Sequence, residues 1–191
     1  MRLLIIRHAI AEDREDFAKS GREDGERPLT RSGRRKMERG ARGLRRMVPD
    51  IDVLATSPLT RAAETAEIVA DAYGDVTLVT VDELTPEGRY ADFLRWLRAL
   101  ADAGGDGGNG DMGDQGTGGD GQAGPPDLVA VVGHEPHLSG LVSLFLTGQS
   151  TPIVELKKGA ACLLDLGDQP TAGRAKLVWS LTPAQLRRLR R

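Results

Sequence analysis

A run of four large apolar residues, Leu3–Ile6, constrains the fold of this chain most strongly, because it stops abruptly at Arg7 and His8. Such a short and wholly apolar run is typical of a buried strand. Open α/β sheets place their ligand sites at the carboxyl ends of their strands. The run therefore predicts a central strand that delivers a guanidinium group and an imidazole to a site at the sheet edge.

A second apolar run ends in the same way. Residues 128–132 are apolar, and Gly133 and His134 follow them directly. A single histidine at a strand end is as readily a hydrogen-bonded surface residue as a functional one, but two such placements favour a shared site. Imidazole serves as a nucleophile or as a proton carrier near neutral pH. The third histidine, His137, fits either the rim of that site or a surface position at the start of a helix.

Apolar runs alternate with helical patterns along the chain, which predicts an α/β fold with a sheet between helix layers. Strands are predicted at 2–6, 51–55, 76–81, 128–132, 160–166 and 175–181. Helices are predicted at about 30–46, 57–73, 89–102 and 136–147, with a last one from 182. A length of 191 residues suits one domain with a substantial core.

Residues 103–126 interrupt this pattern with a tract rich in glycine and aspartate. The tract has almost no apolar side chains, so ordering it would cost entropy without compensating burial. We expect a flexible loop inside a single domain that spans residues 1–191. A linker between two domains is the alternative, but each flanking half holds only part of the candidate site.

Composition narrows the classes of function. The net charge of −2 gives no general signature of nucleic-acid or membrane binding. The single cysteine, Cys162, lies in an apolar run and is expected to be a buried core residue. No cluster of cysteine and histidine suggests a metal site. The N-terminal apolar run is too short for a signal peptide or a membrane span, so we expect a cytoplasmic protein.

The turn between the second predicted strand and its helix suits an anion. Ser57 is predicted as the helix N-cap and Pro58 as the first helical residue. A helix N-terminus attracts anions, and the planar fork of Arg61 suits phosphate oxygens. Ser57 and Arg61 are therefore candidate substrate-binding residues. The alternative is that Arg61 lies on a solvated helix face and pairs with Glu64.

Together, Arg7, His8, Arg61 and His134 make a set suited to phosphoryl transfer. Two guanidinium groups neutralise a dianion, one imidazole attacks phosphorus, and the other stabilises the transferring group. Phosphoryl transfer depends mainly on positioning and electrostatics. The chain has no Walker-type glycine loop and no carboxylate cluster, so we expect no nucleotide, magnesium or other cofactor.

These residues lie in segments that resemble the histidine phosphatase superfamily, and in their order they are most similar to the SixA-type phosphohistidine phosphatases. The first segment, Arg7-His8-Ala9, has alanine where the family signature Arg-His-Gly has glycine. The further segments are Arg27–Thr30 with Gly33, Ser57–Ala62 with Thr65, Glu83–Pro86, Gly133–Pro136 and Leu156–Ala160. The resemblance covers the chain apart from the glycine- and aspartate-rich tract.

The resemblance implies a phosphoglycerate-mutase-like, three-layer α/β/α sandwich. It implies that His8 is the nucleophile that becomes phosphorylated, and that Arg7, Arg61 and His134 form the phosphate pocket. It also implies a metal-independent phosphatase whose partner is a protein that carries phosphohistidine. Alternatives are a phosphomonoesterase or mutase for a small phosphorylated substrate, and a non-catalytic module that binds a phosphorylated ligand.

The chain departs from many relatives at the general acid. They carry glutamate two residues after the leucine of the Glu-Leu segment, where this chain has Pro86. Nearby candidates are Glu83, Glu87 and Glu135, each of which also suits a surface or capping position. Without a strong acid, the site is expected to favour the P–N bond of phosphohistidine, because an imidazole leaving group has a pKa of about 6.5 and needs little proton assistance.

A basic run falls on the first predicted helix. Most runs of this kind form a solvated face. The alternative is a docking surface for an acidic protein that carries phosphohistidine. The run comprises Arg31, Arg34, Arg35, Lys36, Arg39, Arg42, Arg45 and Arg46.

Overall fold

The computed structural model describes residues 1–74, 76–103 and 124–189, which form six strands and six α-helices. The strands are β1 (Arg2–Arg7), β2 (Val53–Thr56), β3 (Thr77–Thr80), β4 (Leu128–Gly133), β5 (Ala161–Asp165) and β6 (Lys176–Leu181). The helices are α1 (Arg14–Ala18), α2 (Arg31–Met47), α3 (Thr60–Tyr73), α4 (Tyr90–Asp102), α5 (His137–Thr147) and α6 (Pro183–Arg188). Residues 104–123 of the predicted flexible loop lie outside the described residues.

All six strands join one sheet in the order β3-β2-β4-β1-β5-β6. The pairs β3–β2, β2–β4 and β4–β1 are parallel, whereas β5 runs antiparallel to β1 and β6 antiparallel to β5. The six predicted strands are confirmed, each within two residues of its expected ends. β1 and β4 are neighbours, with Arg7 opposite Gly133, so the chain leaves both strands at the same edge of the sheet.

Alternate side chains of β1 enter two separate cores, one on each face of the sheet. Leu4 and Ile6 pack with residues of α2, α3 and α6. Leu3 and Ile5 pack with residues of α4 and α5. All four side chains are fully buried, and each contributes about 1.5–3 kcal/mol through burial. The architecture is therefore the expected three-layer α/β/α sandwich.

Helix boundaries follow the sequence except at α3. Thr30 caps α2 as predicted, because its hydroxyl accepts a hydrogen bond from the Gly33 N–H at 2.9 Å. The prediction that Ser57 caps α3 is wrong, since this helix begins at Thr60 and follows Leu59, which makes no side-chain cap. The short helix α1 was not predicted. None of the helices in the described part of the chain is long and apolar enough to cross a membrane.

Two glycines of α2 have opposite surroundings. A Cβ atom on Gly43 would overlap the carbonyl oxygen of Leu186, so this glycine allows α6 to pack closely against α2. A Cβ atom on Gly40, one turn earlier, would meet no atom within 4 Å, although the residue is buried. Gly43 is therefore required by packing, whereas Gly40 lies beneath a hollow.

We expect alanine to have opposite effects at these two positions. Gly43→Ala forces α2 and α6 apart and should lower the free energy of unfolding by about 1–3 kcal/mol, as overpacked sites do. The methyl group added by Gly40→Ala would contact no atom. This substitution should raise the free energy of unfolding by about 0.5–1 kcal/mol, because glycine is a poor helix former. Urea unfolding of both variants measures the difference. Equal effects of the two substitutions would contradict this account of helix packing.

Candidate active site

The carboxyl ends of β1 and β4 open into a cavity of about 960 Å³. Since these strands are parallel neighbours, His8 and His134 follow them side by side, and their ring centroids are 5.1 Å apart. Arg7 and Arg61 line the same cavity. The structure thus brings together the four residues that the sequence singled out. The cavity is also lined by Glu12, Asp13, Asp24, Arg27, Pro86, Glu87, Glu135 and Lys158.

His8 presents an uncharged ring with one free nitrogen. Its Nδ1 lies 2.7 Å from the carbonyl oxygen of Ala9. Because a carbonyl oxygen only accepts, Nδ1 carries the ring hydrogen and the lone pair is on Nε2. Burial lowers the pKa of His8 to about 4, and the charges of Arg61 and Arg7 act in the same direction. At neutral pH this ring is therefore a neutral base with nucleophilic character.

His134 is held by a serine from the neighbouring strand end. Its Nε2 lies 2.9 Å from the hydroxyl oxygen of Ser57, and both residues are buried. Burial and the nearby charged groups, including Arg61, lower the pKa of His134 to about 2. Ser57 is fully buried and does not line the cavity, so its position differs from the direct substrate contact that the sequence suggested. It positions His134 instead.

Arg61 is held by a short 3-10 helix at Asp24–Glu26 rather than by its own helix. Its Nη1 donates to the carbonyl oxygen of Asp24 at 2.9 Å and lies 3.3 Å from the carboxylate of the same residue. The alternative pairing with Glu64 is wrong, because that carboxylate accepts from the Leu29 N–H and pairs with Arg34. Arg61 is 3% exposed, so it does not lie on a solvated helix face.

Arg7 is anchored on the other side of the cavity. Its Nη1 donates to the carbonyl oxygen of Leu156 at 2.5 Å. Its buried Nε has no hydrogen-bond partner among the described residues. The guanidinium group is therefore fixed in place where it lines the cavity.

A third arginine belongs to the site and was missed by the sequence reasoning. Arg27 lines the cavity, is 7% exposed and donates its Nε–H to the carboxylate of Asp24 at 2.9 Å. Burial opposes ionisation of Asp24, but the hydrogen bond from Arg27 and the charge of Arg61 lower its pKa overall. One carboxylate therefore aligns two guanidinium groups. The signal was present in the Arg27–Thr30 segment, but no local pattern indicated where its arginine points.

The candidate general acids occupy three different environments. Both oxygens of Glu135 accept backbone hydrogen bonds, from Leu156 at 3.0 Å and from Ser139 at 3.3 Å. Glu83 does not line the cavity. Glu87 lines it and is exposed. Among the three, only Glu87 faces the cavity with a carboxylate that no backbone donor engages.

His137 lies neither at the rim nor at the surface. It is 2% exposed, and its ring stacks on Tyr90 with the centroids 4.8 Å apart. Both expectations for this residue are wrong, because α5 begins inside the core rather than at solvent. Within residues 1–74, 76–103 and 124–189, no group of three or more potential ligands is arranged to hold a metal ion.

The arrangement suits a phosphoryl dianion. Arg7, Arg27, Arg61 and Lys158 supply positive charge around a neutral imidazole whose Nε2 is free, and the exposed Arg14 also lines the cavity. Arginine forks bind phosphate oxygens in pairs, and a buried site strengthens these contacts. The geometry therefore permits attack by His8 on a phosphorus atom held between the arginines.

Comparisons with known proteins agree with this chemistry. The family model described as the histidine phosphatase superfamily (branch 1) matches residues 3–92. An uncharacterized protein of Picosynechococcus sp. is 32% identical over 158 residues, which cover 83% of this chain and 81% of that protein.

Solved structures share the fold over almost the whole chain. The protein histidine phosphatase SixA, complexed with tungstate, has a TM-score of 0.73 and 24% identity, covering 97% of this chain and 99% of that one. A mycobacterial glucosyl-3-phosphoglycerate phosphatase has a TM-score of 0.58 and 19% identity, covering 95% and 99%.

We expect the buried neutral His8 to make the protein less stable in acid. Its pKa is about 4 in the folded state and about 6.5 in the unfolded state, so the unfolded chain binds more protons as the pH falls through this window. The wild type should lose about 2 kcal/mol through this group between pH 7 and pH 5. The loss from this group is complete below pH 4, and His134 acts in the same direction.

The measurement is urea unfolding of the wild type and of His8→Asn at pH 7 and pH 5. The variant lacks the titrating ring and should lose less stability on acidification. The same loss in both proteins would contradict the assignment of a buried neutral His8.

Proposed function

The chain belongs to the histidine phosphatase superfamily, and from this we propose that it hydrolyses phosphohistidine on protein substrates, with His8 as the nucleophile. The observation that carries the proposal is the free Nε2 of His8, on a ring kept neutral by burial and set among arginines. We further propose that residues 1–191 act as a single domain, since the site draws on both halves of the chain.

The proposed reaction has two steps. Nε2 of His8 attacks phosphorus, a new N–P bond forms, and the P–N bond of the substrate breaks. A substrate ring protonated on its other nitrogen leaves as neutral imidazole. Water then attacks phosphorus, the bond to His8 breaks, and both protons of the water leave with inorganic phosphate. Throughout, the carbonyl oxygen of Ala9 keeps the hydrogen of His8 on Nδ1.

The arginines supply most of the stabilisation in this scheme. Arg7, Arg27 and Arg61 surround the phosphoryl group, and their anchors at Leu156 and Asp24 hold them in place before substrate binds. Prealigned donors need no reorganisation as charge shifts between attacking and leaving groups. Neutral His134 lines the same cavity, and the hydrogen bond between its Nε2 and Ser57 fixes the ring beside His8.

The preference for a P–N bond rests on the scarcity of proton donors. Both oxygens of Glu135 are engaged by backbone N–H groups, so this side chain is poorly placed to give a proton to a leaving group. Each pKa unit of leaving-group basicity left without assistance raises the barrier by up to about 1.4 kcal/mol. The missing proton donor therefore raises the barrier far more for an alcohol leaving group than for an imidazole.

A phosphomonoesterase for small metabolites is the second candidate, and Glu87 favours it. This exposed carboxylate lines the cavity and is free to carry a proton to an alkoxide. A non-catalytic binding module is disfavoured, because binding alone gives no reason for a buried imidazole with its nucleophilic nitrogen free.

We expect His8→Ala to abolish turnover while the protein stays folded, because no other described residue offers a nitrogen in the same position. Brief reaction with ³²P-labelled substrate and an alkaline quench should leave label on the wild type and none on the variant. Circular dichroism and urea unfolding check the fold. A near-normal rate in His8→Ala would disprove the mechanism.

We also expect kcat/KM to follow the basicity of the leaving group. A phosphohistidine peptide should be hydrolysed fastest, an aryl phosphate more slowly, and 3-phosphoglycerate slowest, all at one pH. Glu87→Gln and Glu135→Gln are measured beside the wild type, and neither should affect the phosphohistidine reaction strongly. A clear preference for the alkyl phosphate that Glu87→Gln removes would instead establish the metabolite phosphatase.

A further inference from the structure

A second cavity, which we call the basic groove, adjoins the candidate active site. It has a volume of about 540 Å³ and lies between α2, α6 and the turn at residues 157–159. It shares Arg7, Ile10 and Lys158 with the larger cavity, so the two are contiguous. A ligand in the groove can therefore extend from the position of the phosphoryl group.

The groove is rich in unpaired positive charge. As the described residues define it, its lining contains five basic side chains and no carboxylate. None of the five forms an ion pair within 4 Å in that part of the chain. By contrast, four nearby arginines each pair with Asp24 or Glu64: Arg14, Arg27, Arg34 and Arg61. The five are Arg7, Lys36, Lys157, Lys158 and Arg187. Their mutual repulsion is relieved only by an anionic occupant or by solvent.

The floor of the groove is apolar and deepened by a missing side chain. Ile10, Met37 and Pro183 line it. Gly40 also lines it, and the space above its Cα is empty to 4 Å. Glycine in the middle of a helix costs about 1 kcal/mol relative to alanine, and no packing contact here requires it. Close approach of another chain is a physical reason for such a hollow.

We propose that the basic groove binds an acidic segment of the protein substrate, next to its phosphorylated residue. The basic rim pairs with aspartate or glutamate side chains, and the apolar floor receives an intervening apolar side chain. The inference rests on the proposed function, because it takes the substrate to be a protein. A nucleic acid fits less well, since the described lining has no aromatic side chain on which a base could stack.

The basic groove is a different surface from the helix face that the basic run suggested. Of the eight basic residues of the run, Lys36 alone lines the groove. Arg34 pairs with Glu64, and Arg45 donates to the carbonyl oxygen of Ala72, so these two support the fold. The docking charge is therefore shared by β1, α2, α6 and the turn at 157–159 rather than carried by one helix face.

Binding is tested first, without turnover, in the His8→Ala background. The probes are two fluorescein-labelled peptides that share one histidine, flanked either by Asp, Glu and Leu or by Asn, Gln and Leu. Fluorescence anisotropy should show at least roughly tenfold tighter binding of the acidic peptide, weakening at 0.5 M salt. Equal affinities, or tighter binding of a single-stranded oligonucleotide than of the acidic peptide, would overturn the proposal.

Variants locate the binding surface. The double variant Lys36→Glu/Arg187→Glu and the single variant Gly40→Leu should each weaken binding of the acidic peptide by roughly tenfold. Arg35→Glu is the matched control, because Arg35 is exposed on α2 and lies outside the groove. Gly40→Ala controls for helix stability, since it leaves most of the hollow open. An equal loss in Arg35→Glu would show a general charge effect and contradict the groove.

Kinetics with intact His8 separates docking from chemistry. The groove variants should raise KM for an acidic phosphohistidine peptide with little change in kcat, and should leave hydrolysis of an aryl phosphate within about twofold of the wild type. Unchanged KM for the peptide would overturn the docking proposal while leaving the phosphatase function intact. If the wild type hydrolyses aryl phosphate but not the phosphohistidine peptide, the proposed function fails. The binding assay alone then shows whether the groove binds an acidic peptide.

Discussion

The parallel pairing of β1 with β4 is the contact on which the site depends. It sets Arg7 opposite Gly133, so His8 and His134 leave the sheet side by side although 126 positions separate them in the sequence. The pairing is stable because the β1 side chains fill two cores, one on each face of the sheet. The geometry of the site is thus a direct consequence of hydrophobic packing in the layers that flank it.

Burial then gives the site its chemical character. Removing water from two imidazoles keeps both neutral, and removing it from the arginines strengthens their pull on an anion. Asp24 and the carbonyl oxygen of Leu156 hold these arginines without occupying all their donors. The cost of this arrangement is lower stability in acid, which is the usual exchange between stability and function at buried polar sites.

Sequence reasoning succeeded where the signal is local. Apolar and β-branched runs predicted the six strands because this pattern lies within the residues of each strand. Thr30 was recognised as a cap because its partner, Gly33, is three residues away. It failed for Ser57, whose hydroxyl bonds to a ring 77 residues distant, and for Glu64, whose partners lie on other elements. Arg27 was missed for a different reason: its partner Asp24 is only three residues away, but the sequence gives no sign that this segment lies against the cavity.

By itself, the sequence determined the fold class and the cluster of Arg7, His8, Arg61 and His134 at one sheet edge, because strand ends of a parallel sheet converge. Tertiary structure alone decided the protonation of the two histidines, the third arginine and the engagement of Glu135 by backbone donors. It also decided the basic groove, which α2, α6, the turn at 157–159 and the end of β1 build. Burial and long-range hydrogen bonds depend on which segments meet in space, and no local pattern encodes them.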